Sequence, residues 1–378
     1  MKLLITGDFC PRDRIASLFE QGQYELVLKE VAQCVRKFDY AITNLEAPII
    51  QGGENPINKC GPNLKCSNST IDALKYAGFS CVTLANNHFR DFGDEGCLNT
   101  FKRLKEAHIE YVGAGKNIND AQKVLYFEQE FVKISIVNIC ENEFSIADES
   151  HAGSAPLNLI DVYNQIKTAK ENSNFIIVII HGGHEGYQLP SLRMKKLYRW
   201  FVEIGANVII NHHQHCFSGY EVYNGAPIFY GIGNFCFDKK GKRDCIWNEG
   251  YMVALEINYD KQRISFDYKI IPYIQANHNP NVEIIYGDRK REFLNQINSI
   301  NSIISDDKRL AFSFNEFVQK NIKYKKSFIT PYTNKYLAFL YKHNLLPSFV
   351  GNYRRLGILN NIICESHRDI FIQCIKSK

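Results

Sequence analysis

The chain has 378 residues, of which 45% are hydrophobic and 22% are charged, and its formal net charge at pH 7 is +5. This composition excludes collagen, coiled coils and wholesale disorder, and the charge is too small for a protein that coats nucleic acid. We expect a globular chain long enough for two domains, or for one large domain with an extension.

The N-terminal segment MKLLITGDFCPRDR lacks the long apolar stretch and the small-residue cleavage site of a signal peptide. The longest apolar run, residues 175–180, is far shorter than the roughly 20 residues that a membrane-spanning helix needs. The 12 cysteines are scattered, and without an export signal we expect them to be free thiols. These features predict a cytoplasmic protein without a transmembrane segment.

Short apolar runs alternate with helical patterns over about the first 270 residues, which favours an α/β layered fold. Strands are predicted at residues 2–6, 40–43, 79–84, 110–112, 124–128, 131–139, 175–180, 207–210, 226–230, 251–258 and 263–271. Helices are predicted at residues 26–38, 69–77, 94–108, 157–171 and 191–204. The Asn224-Gly225 pair predicts a two-residue hairpin turn.

Five of the predicted strands end at polar side chains that can bind a metal ion. These side chains are Asp8, Glu46, Asn87 with His88, His181, and His213 with His215. Ligands of open α/β sheets bind beyond the carboxyl ends of the strands, so we expect these side chains to converge in one crevice. Carboxylate, amide and imidazole donors together suit Zn, Mn or Fe(II). The sequence therefore predicts bound divalent transition metal ions, and two ions are expected.

After about residue 280 the alternation of strands and helices gives way to helical patterns alone. Helices are predicted at 291–305, 310–326, 331–343 and 355–375. Residues 281–378 contain 16 Lys or Arg and 8 Asp or Glu, so this segment carries +8 and the first 280 residues carry −3. We predict two domains, one at 1–275 and a basic helical C-terminal extension at 281–378. Basic helices commonly just face solvent, and the alternative is peripheral association with a membrane surface or an anionic polymer. No nucleic-acid-binding motif occurs, and we predict no nucleic-acid binding.

Six sequence blocks resemble the CapA family of poly-γ-glutamate capsule synthesis proteins, which is similar to the calcineurin-like metallophosphoesterases. The blocks are Asn44-Leu-Glu46, Leu84-Ala-Asn-Asn-His-Phe-Arg-Asp-Phe-Gly93, Val112-Gly-Ala-Gly115, His181-Gly-Gly-His-Glu185, His213-Gln-His215 and Tyr230-Gly-Ile-Gly-Asn-Phe235. They appear in the order of the family between residue 1 and about residue 270. The resemblance implies a four-layer α/β/β/α sandwich of the metallophosphoesterase type, with a metal site between the two sheets.

The resemblance also implies a role for each residue at the strand ends. The first metal ion is expected to bind Asp8, Glu46 and His215. The second is expected to bind Glu46, which bridges the two ions, together with Asn87, His181 and His213. His88 matches the residue that approaches the leaving group, and Asp91 is placed to orient its imidazole.

Two positions depart from the metallophosphoesterase pattern. Cys10 stands where those enzymes have a His ligand, and it is either a thiolate ligand or an apolar packing residue. Glu46 stands at the bridging position, where they have Asp. Further candidates for the site are Asn44, Lys59, Glu185 and Asn234. Lys59 lies in a loop where relatives carry basic residues, and it either meets an anionic substrate or has a plain surface role.

Two functions of different classes fit these observations. The first is a metal-dependent hydrolase of capsule or surface-polymer biosynthesis, which cleaves a phosphoester or an amide bond of a γ-glutamyl or peptidoglycan-like polymer. The second is a non-catalytic accessory protein that binds the polymer or partner enzymes. An oriented His88 favours the enzyme, because a binding protein has no evident need for a positioned acid, whereas the departures at Cys10 and Glu46 favour the accessory protein. A nucleotide-binding α/β protein is excluded because neither a Gly-x-Gly-x-x-Gly turn nor a Walker sequence occurs.

Overall fold

The computed structural model of the chain describes residues 1–59, 61–260, 263–326, 334–348, 350–351, 358 and 362. The chain divides into two compact units, Met1–Ala311 and Phe312–Lys378. The domain division that we predicted between residues 275 and 281 stays a prediction. Within the first unit, Phe293 and Ile297, which follow that position, are buried in the core.

The strands and helices of the chain largely follow the predicted order. The strands are β1 (Lys2–Phe9), β2 (Tyr40–Leu45), β3 (Cys81–Thr83), β4 (Glu110–Val112), β5 (Ala114–Gly115), β6 (Leu125–Gln129), β7 (Val132–Cys140), β8 (Gly153–Ser154), β9 (Phe175–His181), β10 (Val208–His212), β11 (Tyr220–Tyr223), β12 (Ala226–Phe229), β13 (Asn234–Cys236), β14 (Glu249–Asp260), β15 (Arg263–Gln275) and β16 (Val282–Ile284). The helices are α1 (Asp13–Glu20), α2 (Tyr24–Val35), α3 (Ser69–Ala77), α4 (Gly93–Glu106), α5 (Ile118–Ala121), α6 (Leu159–Asn172), α7 (Leu192–Ile204), α8 (Gly287–Ile304), α9 (Asp307–Lys326) and α10 (Lys335–Lys342).

Two large sheets form the first unit. The first sheet has the strand order β16-β15-β14-β1-β2-β3-β4, and β13 pairs with the end of β1. Its strands β1 to β4 run parallel to one another, whereas β14, β15 and β16 are antiparallel to their neighbours. The second sheet has the order β11-β12-β10-β9-β7-β6, with β7, β9, β10 and β12 parallel. A small third sheet pairs β5 with β8.

The layers follow from the alternation of side chains along each strand. In β1, Leu3 and Ile5 point into a core that also contains Ile177 and Ile210 of the second sheet, so the two sheets pack face to face. Leu4, between them, packs with α1 to α4 on the outer face of the first sheet. The outer face of the second sheet is covered mainly by α6 and α7. The predicted four-layer α/β/β/α sandwich is therefore confirmed.

Local sequence features explain several element boundaries. The helix α3 has the predicted bounds and ends at Gly78, whose φ of 95° is a left-handed conformation that glycine adopts without strain. The hairpin between β11 and β12 turns at Asn224 and Gly225, both with positive φ, as their sequence predicts. The helix α1 was not predicted, because only Ile15 and Phe19 of its eight residues are buried and the apolar pattern is short.

Three of the four helices predicted after residue 280 correspond to α8, α9 and α10. The fourth predicted helix, at residues 355–375, lies outside the described residues apart from Ile358 and Ile362. Within the described parts of the chain, no helix combines the length and the apolar character that crossing a bilayer requires.

Gly7 of β1 lies against Gly233, the residue that precedes β13. A Cβ atom at Gly7 would lie 1.9 Å from the backbone oxygen of Gly233 and 2.9 Å from the Tyr273 hydroxyl oxygen. We therefore expect Gly7→Ala to force the two strands apart and to lower the free energy of unfolding by about 1–3 kcal/mol. Urea denaturation measures this loss, with Gly351→Ala as the control, since no described atom lies within 4 Å of the added methyl group there. An unchanged midpoint for Gly7→Ala would contradict the prediction.

Candidate functional site

Strand pairing brings the predicted site residues to the carboxyl ends of neighbouring strands in each sheet. In the first sheet, Asp8 of β1 lies beside Asn44 of β2 and Asn234 of β13. In the second sheet, His181 at the end of β9 lies beside His212 at the end of β10. Because these strands are parallel, their carboxyl ends coincide, and the loops that follow them meet between the sheets.

Six side chains from these strand ends form a buried cluster. Two groups of possible metal ligands have one donor atom of each residue within 4.8 Å of the others, and both groups contain Glu46. The groups are Asp8, Glu46 and His215, and Glu46, His181 and His213. Asn87 adjoins the second group, with its Oδ1 atom 3.1 Å from Nε2 of His181. Both groups contain Glu46, the residue that the resemblance predicts to bridge two ions, and the assignment of ligands to two ions stays a prediction.

The carboxylates of the cluster fit a metal ion. Asp8 and Glu46 are fully buried, yet Oδ2 of Asp8 and both side-chain oxygens of Glu46 have no hydrogen-bond partner among the described residues. A buried carboxylate without partners is costly, and coordination of a cation supplies the missing interaction. Burial and the nearby Asp8 raise the pKa of Glu46 well above its usual value. Burial also acts to raise the pKa of Asp8, but the His215 imidazole and other nearby histidines outweigh it and hold this pKa well below its usual range.

Two histidines of the cluster, His181 and His213, are held in the neutral form that binds metal ions. Burial, followed by the charge of His215, lowers the pKa of His213 to about 4. Burial, followed by His213, lowers the pKa of His181 well below its usual value. The loop after β10 carries His213 and His215, and its backbone is strained at both residues, where φ is 87° and 54°. Non-glycine residues rarely adopt such angles, and they do so mainly at functional sites.

Two asparagines position the ligands without belonging to either group. Asn44 donates a hydrogen bond from Nδ2 to Oδ1 of Asp8 at 2.8 Å, and the same nitrogen lies 3.3 Å from Nδ1 of His181. Asn234 holds His215, because its Oδ1 lies 2.9 Å from Nδ1 of the imidazole and its Nδ2 donates to the His215 carbonyl. With Nδ1 held by Asn234, Nε2 of His215 is directed at Glu46, 3.6 Å away. Partners of this kind fix the tautomer and orientation of a ligating imidazole.

The contact between Asn234 and His215 can be tested directly. We expect Asn234→Ala to weaken metal binding by about 10- to 100-fold, because the His215 ring loses the acceptor that orients it. Titration of the metal-free protein with Mn²⁺ or Zn²⁺ measures the change. Asn224→Ala, in the exposed hairpin turn, is a matched control and is expected to bind metal like the wild type. Unchanged affinity in Asn234→Ala would limit Asn234 to a packing role.

A second group of interacting side chains contains His88, which follows Asn87 in the chain. The Nδ1 atom of His88 lies 2.7 Å from Oδ2 of Asp91, so this nitrogen carries the proton and Nε2 is available for proton exchange. Burial lowers the pKa of His88, and the Asp91 carboxylate opposes that effect. Lys59 forms an ion pair with Asp91, and its Nζ atom lies 3.1 Å from Nδ1 of His88. The side chain of Lys59 is only 3% exposed, so the plain surface role considered for it is not observed.

Two of the candidate residues do not join the cluster. Cys10 is fully buried in the apolar core under the helices of the first sheet and is absent from the ligand groups of the described residues. Burial and the neighbouring Cys66 thiol raise the pKa of Cys10 well above its usual value, which favours the packing role over a thiolate ligand. All nine described cysteines are free thiols. Glu185 is exposed in the loop after β9.

Sequence reasoning missed Glu143 and Trp247. Burial raises the pKa of the Glu143 carboxyl, and the nearby Asn87 side chain acts in the opposite direction. Glu143 follows β7, whose last residue Cys140 pairs with His181, so the rule that strand ends converge could have found it. The Trp247 ring lies 4.8 Å from the His215 imidazole, centroid to centroid, and no sequence pattern pointed to this packing.

Comparisons with known proteins agree with the resemblance. The sequence model of the family described as bacterial capsule synthesis protein PGA_cap matches residues 2–239. The chain is similar to the capsule biosynthesis protein CapA of Bacillus anthracis, with 30% identity over 247 residues that cover 63% of this chain and 60% of that protein. It is also similar to the PGA biosynthesis protein CapA of Bacillus subtilis, with 27% identity over 237 residues and 62% of each chain covered. The chain thus matches less than two thirds of the length of both relatives.

Among solved structures, the chain is similar to a novel phosphatase from Mycoplasma pneumoniae. The TM-score is 0.46 and the sequence identity 15%, and the superposition covers 74% of this chain and 95% of the other.

Proposed function

Since the chain belongs to the bacterial capsule synthesis protein family PGA_cap, we propose that it is a metal-dependent hydrolase that acts in the biosynthesis of a capsule or another surface polymer. The observation that carries this proposal is the buried pair of ligand groups that share Glu46 and lie beside an oriented imidazole. A protein that only bound a polymer would gain nothing from such a pair. We also expect the cytoplasmic location predicted from the sequence.

The proposed ligands divide between two divalent ions, which are Mn, Zn or Fe. Asp8 and His215 hold the first ion, Asn87, His181 and His213 hold the second, and Glu46 contributes to both. When bound, such ions supply Lewis-acid polarisation of the scissile group and activate water for attack. Glu46 is available to both groups because neither of its oxygens has a hydrogen-bond partner among the described residues, while His181 and His215 approach Oε1 to 3.7 and 3.6 Å.

The proposed role of His88 is to donate a proton to the leaving group from Nε2. Asp91 accepts the hydrogen bond from Nδ1, which keeps the ring in one tautomer and stabilises the protonated form of the imidazole. Lys59 neutralises the Asp91 carboxylate and ties the loop before α3 to this pair. Asp91 has a third partner, the Leu64 backbone nitrogen, which donates a hydrogen bond to Oδ2 at 2.6 Å. In its protonated form, His88 therefore donates from Nε2 in a fixed direction.

The proposed substrate is either a phosphoester or an amide bond of a γ-glutamyl or peptidoglycan-like polymer. The names of the two Bacillus relatives, which refer to capsule and PGA biosynthesis, support the polymer. Fold alone does not choose between these bonds, because the same scaffold supports different reactions.

Elemental analysis of protein purified without a metal-affinity column tests the proposal. We expect close to two transition metal ions per wild-type chain and none in an Asp8→Ala/His213→Ala variant. The loaded wild type is then screened with phosphodiesters and γ-glutamyl amides. Metal binding with turnover of either class supports the proposal, whereas no metal after incubation with Mn²⁺ or Zn²⁺ overturns it.

The second candidate is an accessory protein that binds the polymer or a partner enzyme without turnover. The position of Cys10 supports this alternative, because a protonated thiol in the apolar core leaves the first group with only three ligands. A protein that binds polymer equally well before and after removal of its metal, and that hydrolyses no substrate in the screen, would favour this function.

A further inference from the structure

We infer that the second unit carries a surface that binds anionic lipid bilayers through α10. This inference does not depend on the proposed hydrolase activity. It starts from the charge of the unit, because residues 312–378 contain 11 Lys or Arg and only 3 Asp or Glu, a net charge of +8. Residues 1–311 carry the remaining −3 of the whole-chain charge of +5. The positive charge is therefore concentrated in the part of the chain that contains α10.

Three large side chains with apolar surface are exposed on α10. Tyr336 is 69% exposed, Phe339 56% and Leu337 41%, and Leu345, just after the helix, is 67% exposed. Successive residues of a helix are 100° apart, so Tyr336, Phe339 and Leu337 lie within one arc of its surface. Tyr341 lies outside that arc and is buried, with its hydroxyl 3.2 Å from the Ser348 hydroxyl oxygen. We call the three exposed side chains at 336, 337 and 339 the apolar arc.

Two lysines border the apolar arc. Lys335 and Lys342 are seven residues apart, two helical turns, and therefore lie on one side of the helix next to Phe339. The Nζ atom of Lys335 lies 5.1 Å from the centre of the Tyr336 ring. Asn334 is the N-cap of the helix, and its side chain accepts hydrogen bonds from the backbone nitrogens of residues 336 and 337. The arc is thus presented by an ordered helix with an apolar face and a cationic border.

This combination matches the surface of an anionic bilayer better than other partners. A helix that lies in the bilayer interface buries Phe, Leu and Tyr among the acyl chains and keeps its lysines at the headgroups. Tyrosine in particular concentrates at the boundary between lipid and water. A soluble polyanion would engage the lysines but leave the apolar arc in water. The arc is small, so we expect weak and reversible binding that requires the positive charge as well as the apolar side chains.

Sedimentation of the full chain with vesicles tests this inference. We expect binding to vesicles of phosphatidylcholine mixed with phosphatidylglycerol and little binding to phosphatidylcholine alone. Tyr336→Ser/Phe339→Ser is expected to weaken binding by at least about tenfold, because the inserted rings are lost. Lys335→Gln/Lys342→Gln is expected to weaken it by about fivefold for each lysine and to reduce its dependence on salt. Phe131→Ser/Ile160→Ser, which alters side chains 73% exposed in the first unit, is the matched control and is expected to bind like the wild type.

A fluorescence measurement keeps the test valid if a serine variant unfolds. Phe339→Trp is expected to show blue-shifted emission that brominated phosphatidylglycerol quenches, whereas Phe131→Trp is not. Absence of vesicle binding would overturn the inference. The inference would also be overturned if the serine variant still bound vesicles and the protein bound soluble poly-L-glutamate equally strongly. The positive charge of the second unit would then serve to bind a polyanion. Dimers that the serine substitutions abolish, without vesicle binding, would assign the apolar arc to a second copy of the chain.

Discussion

Replacement of His88 by alanine is expected to lower turnover by about 10²- to 10⁴-fold while the protein keeps its metal ions, because the variant loses the proton donor and no ligand of either group. The loss should depend on the leaving group. A substrate with a poor leaving group needs protonation and should show the full effect, whereas a p-nitrophenyl ester leaves as a stable anion and should show a much smaller effect. Steady-state kinetics with both kinds of substrate, together with metal analysis, measure this difference.

The chain contains a matched control for this experiment. His151 and Asp148 form the same pairing as His88 and Asp91, three residues apart and with Nδ1 2.7 Å from a carboxylate oxygen, but they lie half-exposed on the surface. His151→Ala is therefore expected to leave turnover unchanged. Loss of metal in His88→Ala would instead make His88 a ligand or a structural residue. An equal loss for good and poor leaving groups would remove the role of proton donor.

Replacement of Glu46 by glutamine is expected to abolish binding of both ions, because Glu46 is the residue that the two ligand groups share. The same change should make the metal-free protein more stable by about 1–3 kcal/mol, since it removes a buried carboxylate that has no hydrogen-bond partner. The difference depends on pH. The pKa of Glu46 is raised in the folded state, so the free energy of unfolding of the metal-free wild type falls as pH rises above 4.5, the usual value for Glu.

Metal analysis and urea denaturation of the metal-free proteins at several pH values test this prediction. The free energy of unfolding of Glu46→Gln should vary less with pH than that of the wild type. Metal binding to the wild type should become tighter with rising pH, because a raised pKa means that the ion displaces a proton from Glu46. Glu128→Gln, on the exposed side of β6, is the control. Retention of both ions by Glu46→Gln would show that Glu46 is not the shared ligand.

The strands were the part of the fold that sequence patterns predicted best. The apolar run of β9 is a local feature, and each predicted strand is found within a few residues of its predicted bounds, whereas β5, β8, β11, β13 and β16 had no predicted counterpart. The short strand β13 was missed, because its three residues Asn234–Cys236 carry no periodic pattern. Its pairing with β1 places Asn234 beside Asp8 and His215, so the reason for that residue at this position is visible only in the pairing.

The predicted ligands illustrate the same limit. Parallel strands bring their carboxyl ends together whatever the details of packing, and this made Asp8, Glu46 and His181 predictable as neighbours. The alternation of side chains along a strand could not show whether Cys10 faces the predicted ligands or the core, because β1 ends at Phe9. Lys59 lies in a loop without regular structure, and only the tertiary fold brings its amino group to Asp91.

The sequence alone determined the α/β class, the positions of most strands along the chain, the basic character of the C-terminal segment and the set of donors at the strand ends. These properties depend on composition and on periodicity within a few residues, which are local. Tertiary structure decided that Cys10 packs in the core and that Asn234 orients His215. It also decided that α10 exposes its apolar arc. These outcomes depend on distances between segments far apart in the chain, and such distances are set by packing in three dimensions.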